Sequence, residues 1–332
     1  MTILSPVSLL HRPQSGAVLS LIAVLAFFML FGGVDIGRFL GAASWVNFAA
    51  NLGIVALPVG LLMIAGELDI SIGAMIPAGS MSIAVVSGHY DLPILVGIGF
   101  ALGLGAVVGL INGILTVRTS VPSLIITLAT LVAMQGIVLS ASVLLTGNAS
   151  VPLDAPAWAK AIFGRLIGGN YQIIILWWIG LAAVLYVVVH QMPFGNRLFA
   201  MGGDRASARN AGIATDRMTI GLFVLSATSA SFVGMCGAIL FNSAQVSGGM
   251  NYIFNAVVSI VVGGVLLTGG FGSVIGIVLG TLTFAVVSQG IYFTDIDRNW
   301  SSLIIGVMLL VAVWMNNSFR TMALTHSPKK KP

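Results

Sequence analysis

Apolar residues run through this chain in long unbroken blocks, and short clusters of charge, Pro and Gly separate the blocks. About 20 consecutive apolar residues cross a bilayer as a helix, and backbone groups in lipid must find their hydrogen bonds within the segment. With charge, Pro and Gly taken as punctuation, the pattern predicts ten spans. They fall at about 17–33, 44–65, 70–88, 92–116, 121–146, 170–190, 219–241, 253–268, 272–293 and 299–316. The stretch from Met218 to Thr294 carries no charge and alone is long enough for three crossings. Runs such as Ile173 to Val189 are apolar on every face, without the alternation of an outer-membrane barrel. The expected fold class is all-α, a polytopic integral membrane protein with one transmembrane domain over 1–332.

Three details of that pattern stay open to more than one reading. Ala17 to Gly33 follows His11 and Arg12 but has no small-residue cleavage site, so it is expected to be the first span and not a leader. The second and third spans are joined by a very tight turn. The eighth is short, and is read either as a span or as a re-entrant or broken segment.

Composition sharpens the class: 58% of residues are hydrophobic and 7% charged, where soluble domains carry roughly a quarter charged. The few basic residues then set orientation. With an even number of spans and both termini inside, Arg12, Arg118, Arg197, Arg205, Arg209, Arg217, Arg320, Lys329, Lys330 and Lys331 fall on the cytoplasmic side. Arg38, Lys160, Arg165 and Arg298 fall outside, which satisfies the positive-inside rule. Topology thus accounts for the basic pI without nucleic acid. Cys236 is the single cysteine, so neither a disulfide framework nor a thiol metal cluster is expected, and it reads as filler in a helix.

The 41 glycines matter where they are spaced. Gly105, Gly109 and Gly113 in the fourth span, and Gly272, Gly276 and Gly280 in the ninth, recur every four residues as close-packing stripes. Ordinary helix contact is the preferred reading over a moving seam. Both stripes fall on the cytoplasmic half, which does not suggest inverted repeats.

The densest cluster of charge is the cytoplasmic loop 193–217. Asp204 is a good N-cap, Arg205 to Ala211 reads as a helix of about two turns, and Gly212 suits the position after its end. So short a helix is not stable alone and must pack on something. Ala206, Ala208 and Ala211 keep it thin, and Arg205 and Arg209, one turn apart, can meet carboxylates in a partner's cleft. On the outside, loop 147–169 holds Ala157 to Arg165, a short amphipathic helix with Trp158, Ile162 and Arg165 on one face. It is either an interfacial anchor or a docking surface.

Glu67 and Asp69 are the acidic residues of the tight turn. They either cap the third helix or serve a substrate or proton at membrane depth, capping being favoured. Asn51, Asn112, Gln135, Asn242, Gln245 and Asn255 are candidates for a polar path or for helix glue. There is no G-x-x-x-x-G-K-[ST] phosphate loop, no H-E-x-x-H and no G-x-S-x-G, so neither ATP hydrolysis by this chain nor a hydrolase is expected.

Four segments carry a family resemblance. Ala65 to Gly73 (A-G-E-L-D-I-S-I-G) is similar to G-G-I-D-L-S-V-G, and Val121 to Leu128 to V-P-x-F-I-x-T-L. Phe194 to Ile213 is similar to F-G-R-x-x-x-A-x-G-G-N-x-x-A-A-x-x-x-G-I, and Val262 to Ser273 to V-I-G-G-x-x-L-x-G-G-x-G-S. Over nearly its whole length the chain resembles the permease subunits of bacterial ABC importers for simple sugars, the ribose, xylose, arabinose, galactose and autoinducer-2 group. Glu67 departs from the pattern where Gly is usual, and Asp204 where Asn is common. The resemblance implies an ABC-importer permease fold of about ten helices and a second permease copy, identical or paralogous. It also implies two ATP-binding subunits that hold ATP and Mg, and a periplasmic sugar-binding protein. Arg197, Gly202, Gly203, Asp204, Arg205, Ala208, Arg209 and Gly212 then become the ATPase-coupling residues, and no cofactor is expected on this chain. The rival expectation is an ion-coupled secondary transporter with Glu67 or Asp69 at its centre.

Overall fold

The protein is described by a computed structural model over residues 15–31 and 43–293, with isolated positions between 300 and 314. The expected tenth span, 299–316, and the basic tail, 317–332, therefore lie outside the continuously described residues. The long helices are α1 (Ser15–Phe31), α2 (Ala43–Ile64), α3 (Ile72–Ile83, extended by a π-turn over Ala84–His89), α4 (Ile94–Arg118) and α5 (Ser123–Thr146). They continue as α6 (Ile174–His190), α7 (Pro193–Gly203), α8 (Arg205–Asn210), α9 (Thr215–Phe241), α10 (Met250–Val262) and α11 (Val274–Gly290).

Among the described residues five helices are long and apolar enough to cross a membrane, namely α2, α3 with its π-turn, α4, α5 and α9. A sixth crossing results if α6 and α7, bent by 75°, count as one. Three further apolar helices, α1, α10 and α11, run to 13–17 residues, and the tenth expected span lies outside the continuously described residues, so this count covers only part of the ten spans that the hydrophobic pattern predicts. The eighth expected span, 253–268, is a helix of 13 residues that stops at Gly263 and Gly264, the latter at φ +89°. A left-handed glycine ends a helix whatever the hydropathy around it.

Burial sorts the helices into a centre and a rim. α2 and α9 are mostly buried, while α4 and α5 turn Leu95, Phe100, Val107, Leu124, Ile125, Val132 and Leu144 outward. Apolar surface on that scale needs lipid or a partner around it. α9 packs on α4, α3 and α2, and α11 on α2, α10 and α1.

Both glycine stripes lie at such contacts. A Cβ on Gly105, Gly109 or Gly113 would come within 2.8 Å of the α9 backbone, at Thr228, Phe223 or Ile220. Gly276 and Gly280 meet Gly263 and Ser259 at the α10–α11 crossing. Gly272 precedes α11 and faces the side chain of Ile64, so it belongs to a turn and not to the helical stripe.

Short strands organise the end remote from α7 and α8. β1 (Ser150–Pro152) pairs antiparallel with β4 (Ser243–Gln245), and β2 (Leu166–Ile167) with β3 (Tyr171–Gln172). The second hairpin delays α6 to Ile174, past the expected start near 170. The segment expected as an amphipathic helix is helical from Ala157 to Gly164, closing as a π-turn, with Arg165 extended. Its Phe163 stacks on Trp177, so that face is held by the bundle, while Trp158 and Ile162 stay exposed.

Candidate functional site

Three turns meet at one end of the bundle. α2 ends at Gly66 (φ +86°), and the Glu67 N–H reaches back to the Leu62 carbonyl at 2.9 Å, the closure expected of a left-handed glycine cap. The Gly270 N–H donates to the Ile64 carbonyl at 2.8 Å. Gly202 of α7 lies in the same crossing, where a Cβ would stand 1.8 Å from the Ile64 oxygen and 2.6 Å from the Gly270 nitrogen. Gly203 abuts Gly270, yet its own Cβ position is open. Glycine at 202 is therefore a condition of backbone contact between the α2, α7 and α10–α11 turns.

Asp69 organises the next layer. It is buried, with Oδ1 accepting from the Ser71 N–H at 2.9 Å and the Ser71 hydroxyl at 2.6 Å, and Oδ2 accepting from Ser226 at 2.8 Å. Burial raises its pKa, opposed by the donors on Ser71 and Ser226. Asn112 donates to the Ser71 hydroxyl at 3.0 Å, and Thr130 donates to the side-chain oxygen Oδ1 of Asn112 at 2.6 Å. The backbone of the turn is tied to α5, since the Leu68 N–H donates to Ser123 and the Ile70 N–H to Thr127. Asp69 sits just before α3 and accepts from the N–H of Ser71, the residue that precedes the helix, near its positive end.

The charges sit outermost. Arg205 pairs with Glu67 and also donates to Thr219 at 3.1 Å. Arg209 pairs with Asp216, which lies 3.7 Å from Arg205. The two arginines expected to seek carboxylates in a partner thus already meet carboxylates of their own chain, because α8 folds back on α9 and on the turn after α2. α8 itself is capped by Asp204, which accepts from the Ala206 and Ser207 N–H groups and from the Ser207 hydroxyl. Those donors hold the exposed Asp204 carboxyl below its ordinary pKa. Gly212 closes the segment at φ +84°, and Ala208 packs inward. The loop 193–217 was expected to hold one short helix, but it holds two. α7 starts at Pro193 and buries Leu198 and Met201. Arg197 stands apart from the pairs, with Arg217 on the rim of another cleft.

A second candidate region lies at the far end of α2, about 20 Å away at 1.5 Å per residue from Ile64 to Asn51. Two cavities of 270 and 330 Å³ share Asn51, Gly237, Phe241 and Tyr252 in their walls. The walls also carry Asn47, Gln172, Gln289, Gln245 and several serines, with Arg165 the one charge. Asn51 donates to Gln172 at 2.7 Å and to the Asn47 carbonyl at 2.8 Å, and Asn47 accepts from the Gln172 N–H at 2.8 Å. Neutral donors and acceptors on a partly apolar wall suit an uncharged polyhydroxylated solute.

The amides expected to line one path therefore separate. Gln245 and Asn51 reach the cavities, whereas Asn112 is sealed in the Asp69 network. Gln135 donates to the Met250 sulfur, Asn242 takes a left-handed conformation at the end of α9, and Asn255 is half-buried on α10; none of these three lines either cavity. Glu67 and Asp69 line neither. Asn47, Gln172, Tyr252 and Gln289 were not anticipated. The Asn47–Asn51 spacing, one helical turn within a span, was the available signal.

A helical membrane protein with a polar cavity at one end and a surface helix locked over the other has the make-up of a transport permease. The chain belongs to the family described as "Branched-chain amino acid transport system / permease component", which it matches over residues 41–313. It is 28% identical over 321 residues to the fructose import permease protein FrcC of Rhizobium meliloti, covering 93% of this chain and 88% of that protein. It is 33% identical over 282 residues to the probable ABC transporter permease protein y4mJ of Sinorhizobium fredii, covering 82% and 81%. It is 26% identical over 330 residues to the galactose/methyl galactoside import permease protein MglC of Escherichia coli, covering 96% and 98%. No solved structure matches the chain.

Proposed function

We propose that this chain is the transmembrane subunit of an ATP-driven importer for a monosaccharide or related polyol. It works beside a second permease copy, two separate ATP-binding subunits that carry ATP and Mg, and a substrate-binding protein. The names of its relatives, permeases for fructose and for galactose, support the substrate class. The observation that carries the mechanism is the convergence of all four sequence motifs on one knot of turns, with the exposed face of α8 on its surface.

In this reading the knot faces the cytoplasm and the polar cavity faces the opposite side. Arg118, Arg197, Arg205, Arg209 and Arg217 at the knot end, against Lys160 and Arg165 at the other, support that orientation. Closure of the ATPase pair pushes on Ala206, Ser207 and Asn210, which are exposed on α8. The Glu67–Arg205 pair and the Gly202 crossing pass the displacement to the end of α2. α2 carries the displacement along its buried length, past Pro58, and its far end moves Asn47 and Asn51 in the cavity wall. Ion coupling is the weaker reading, because Glu67 and Asp69 lie outside the cavities.

Two substitutions test the coupling in the reconstituted complex. Ala206→Trp adds bulk on the outer face of α8 and should abolish stimulation of ATP hydrolysis by the loaded binding protein while membrane insertion is kept. Glu67→Gln should leave the ATPase docked but lower transport per ATP hydrolysed. Full stimulation in Ala206→Trp, or uptake driven by an ion gradient without the ATPase, would overturn the proposal.

A further inference from the structure

Beside the knot, an apolar cleft of 350 Å³ opens between α6, α7 and α9. Its floor is Leu61 and Leu222, its sides Leu185, Val188, Phe194 and Leu225. The charged residues that line it are Arg197 and Arg217, both exposed. Arg205 and Arg209, a few residues away, are engaged by Glu67 and Asp216, but the ion pairs among the described residues include neither Arg197 nor Arg217. Two guanidinium groups without carboxylates thus stand at the mouth of an apolar groove, in a protein whose outer surface is apolar.

That combination selects an amphiphile with an anionic head. Guanidinium groups favour phosphate oxygens through paired N–H donors, and basic pockets between membrane helices hold phospholipid head groups. We propose that this cleft binds one anionic phospholipid, its phosphate between Arg197 and Arg217 and an acyl chain along Leu61, Val188 and Leu225. Free phosphate would satisfy the arginines and leave the groove empty, so the bilayer lipid is the better fit. A second cleft on the outer surface makes the contrast. It is larger, 440 Å³, and is lined by Met81, Val85, Phe100, Leu104, Met134 and Leu145 with no charge, so it takes acyl chains without choosing between head groups. The inference depends on membrane placement and not on the sugar or on coupling.

The test is native mass spectrometry of the purified full chain in neutral detergent, titrated with phosphatidylglycerol and phosphatidylcholine of equal chain length. The wild type should prefer phosphatidylglycerol by roughly fivefold per guanidinium. Arg197→Gln should lose about one such factor, and Arg197→Gln with Arg217→Gln should bring the two lipids near parity. Arg118→Gln removes a basic residue outside the cleft and should leave the preference intact. Val188→Trp keeps both arginines, blocks the groove, and should weaken the bound phospholipid even if a double arginine variant proves unstable. Equal binding of the two lipids by the wild type would overturn the proposal. So would an equal loss in Arg118→Gln, or glycerol phosphate binding as tightly as the lipid. A second copy of the chain covering the cleft, seen as a dimer that excludes lipid, would overturn it as well.

Discussion

The two ends of α2 use polar residues in opposite ways. At its C-terminal end the acidic side chains are answered within the chain: Glu67 by Arg205, Asp216 by Arg209, and Asp69 by hydroxyl and backbone donors. At its N-terminal end, neutral amides bond to one another and to backbone carbonyls of Asn47 and Asn170, and face open volume. Closed networks are rigid because each member has lost its alternatives, and a half-broken one leaves buried groups unsatisfied. Open amides keep spare donors and acceptors, which a passing solute can borrow. The difference is what a lever requires, one clamped end and one end able to change partners.

The sharpest way to break the comparison is to unclamp the first end with one carbon atom. Gly202→Ala places a Cβ 1.8 Å from the Ile64 carbonyl oxygen, against backbone that cannot rotate away, whereas Gly203→Ala meets nothing within 4 Å. Overpacking of this kind costs about 1–3 kcal/mol. The 202 variant should therefore lose several degrees of Tm in detergent and most of its transport, while the 203 variant stays near wild type in both. Equal behaviour would mean that α7 is not held against α2 as described.

At the other end the expected effect is on transport alone. Asn51→Ala removes the donor to Gln172 and to the Asn47 carbonyl, but on a wall that opens to solvent-sized volume. Water can replace the lost bonds, so the stability loss should stay under about 1 kcal/mol. Uptake of the transported solute should fall several-fold with insertion unchanged, a separation that thermal unfolding and vesicle uptake measure side by side. A Tm loss as large as that of Gly202→Ala would place Asn51 among structural amides instead.

How much of this was legible in the chain depended on the range of each interaction. α8 was readable because Asp204 and Gly212 act within a few residues, and helix caps are local chemistry. α7 falls within the expected loop although Pro193 stands at its first turn, where proline favours a helix start; its own glycines, Gly195, Gly202 and Gly203, lower its helix propensity. The glycine stripes announced close contact but not their partners, and Gly272 shared the spacing without sharing the helix. Glu67 stood out as a charge in an apolar setting, while Arg205 lies 138 residues away, and no periodicity links them. Asn112 and Asn51 looked alike, since a lone amide in a span does not say whether it faces a network or a cavity. Strands of two or three residues, such as Tyr171–Gln172 and Ser243–Gln245, are too short for any period.

The smallest effect tests the cap that joins α7 to α8. The Asp204 carboxyl is held below its ordinary value, 3.8, by the Ser207 hydroxyl and the Ser207 and Ala206 N–H groups. A depressed carboxyl stabilises the fold fully above its unfolded pKa, and that contribution fades as pH falls through the folded value. Because Asp204 is exposed, the loss should be local. The protection of the Ala206 and Ser207 amides, measured against the unstructured exchange rate at the same pH, should fall as the solution is acidified below about pH 4, with the buried core unchanged. Asn is about as good an N-cap as Asp and does not titrate. Asp204→Asn should therefore match the wild type at neutral pH and show no such acid step; a step of the same size in both would mean that the cap is not its source.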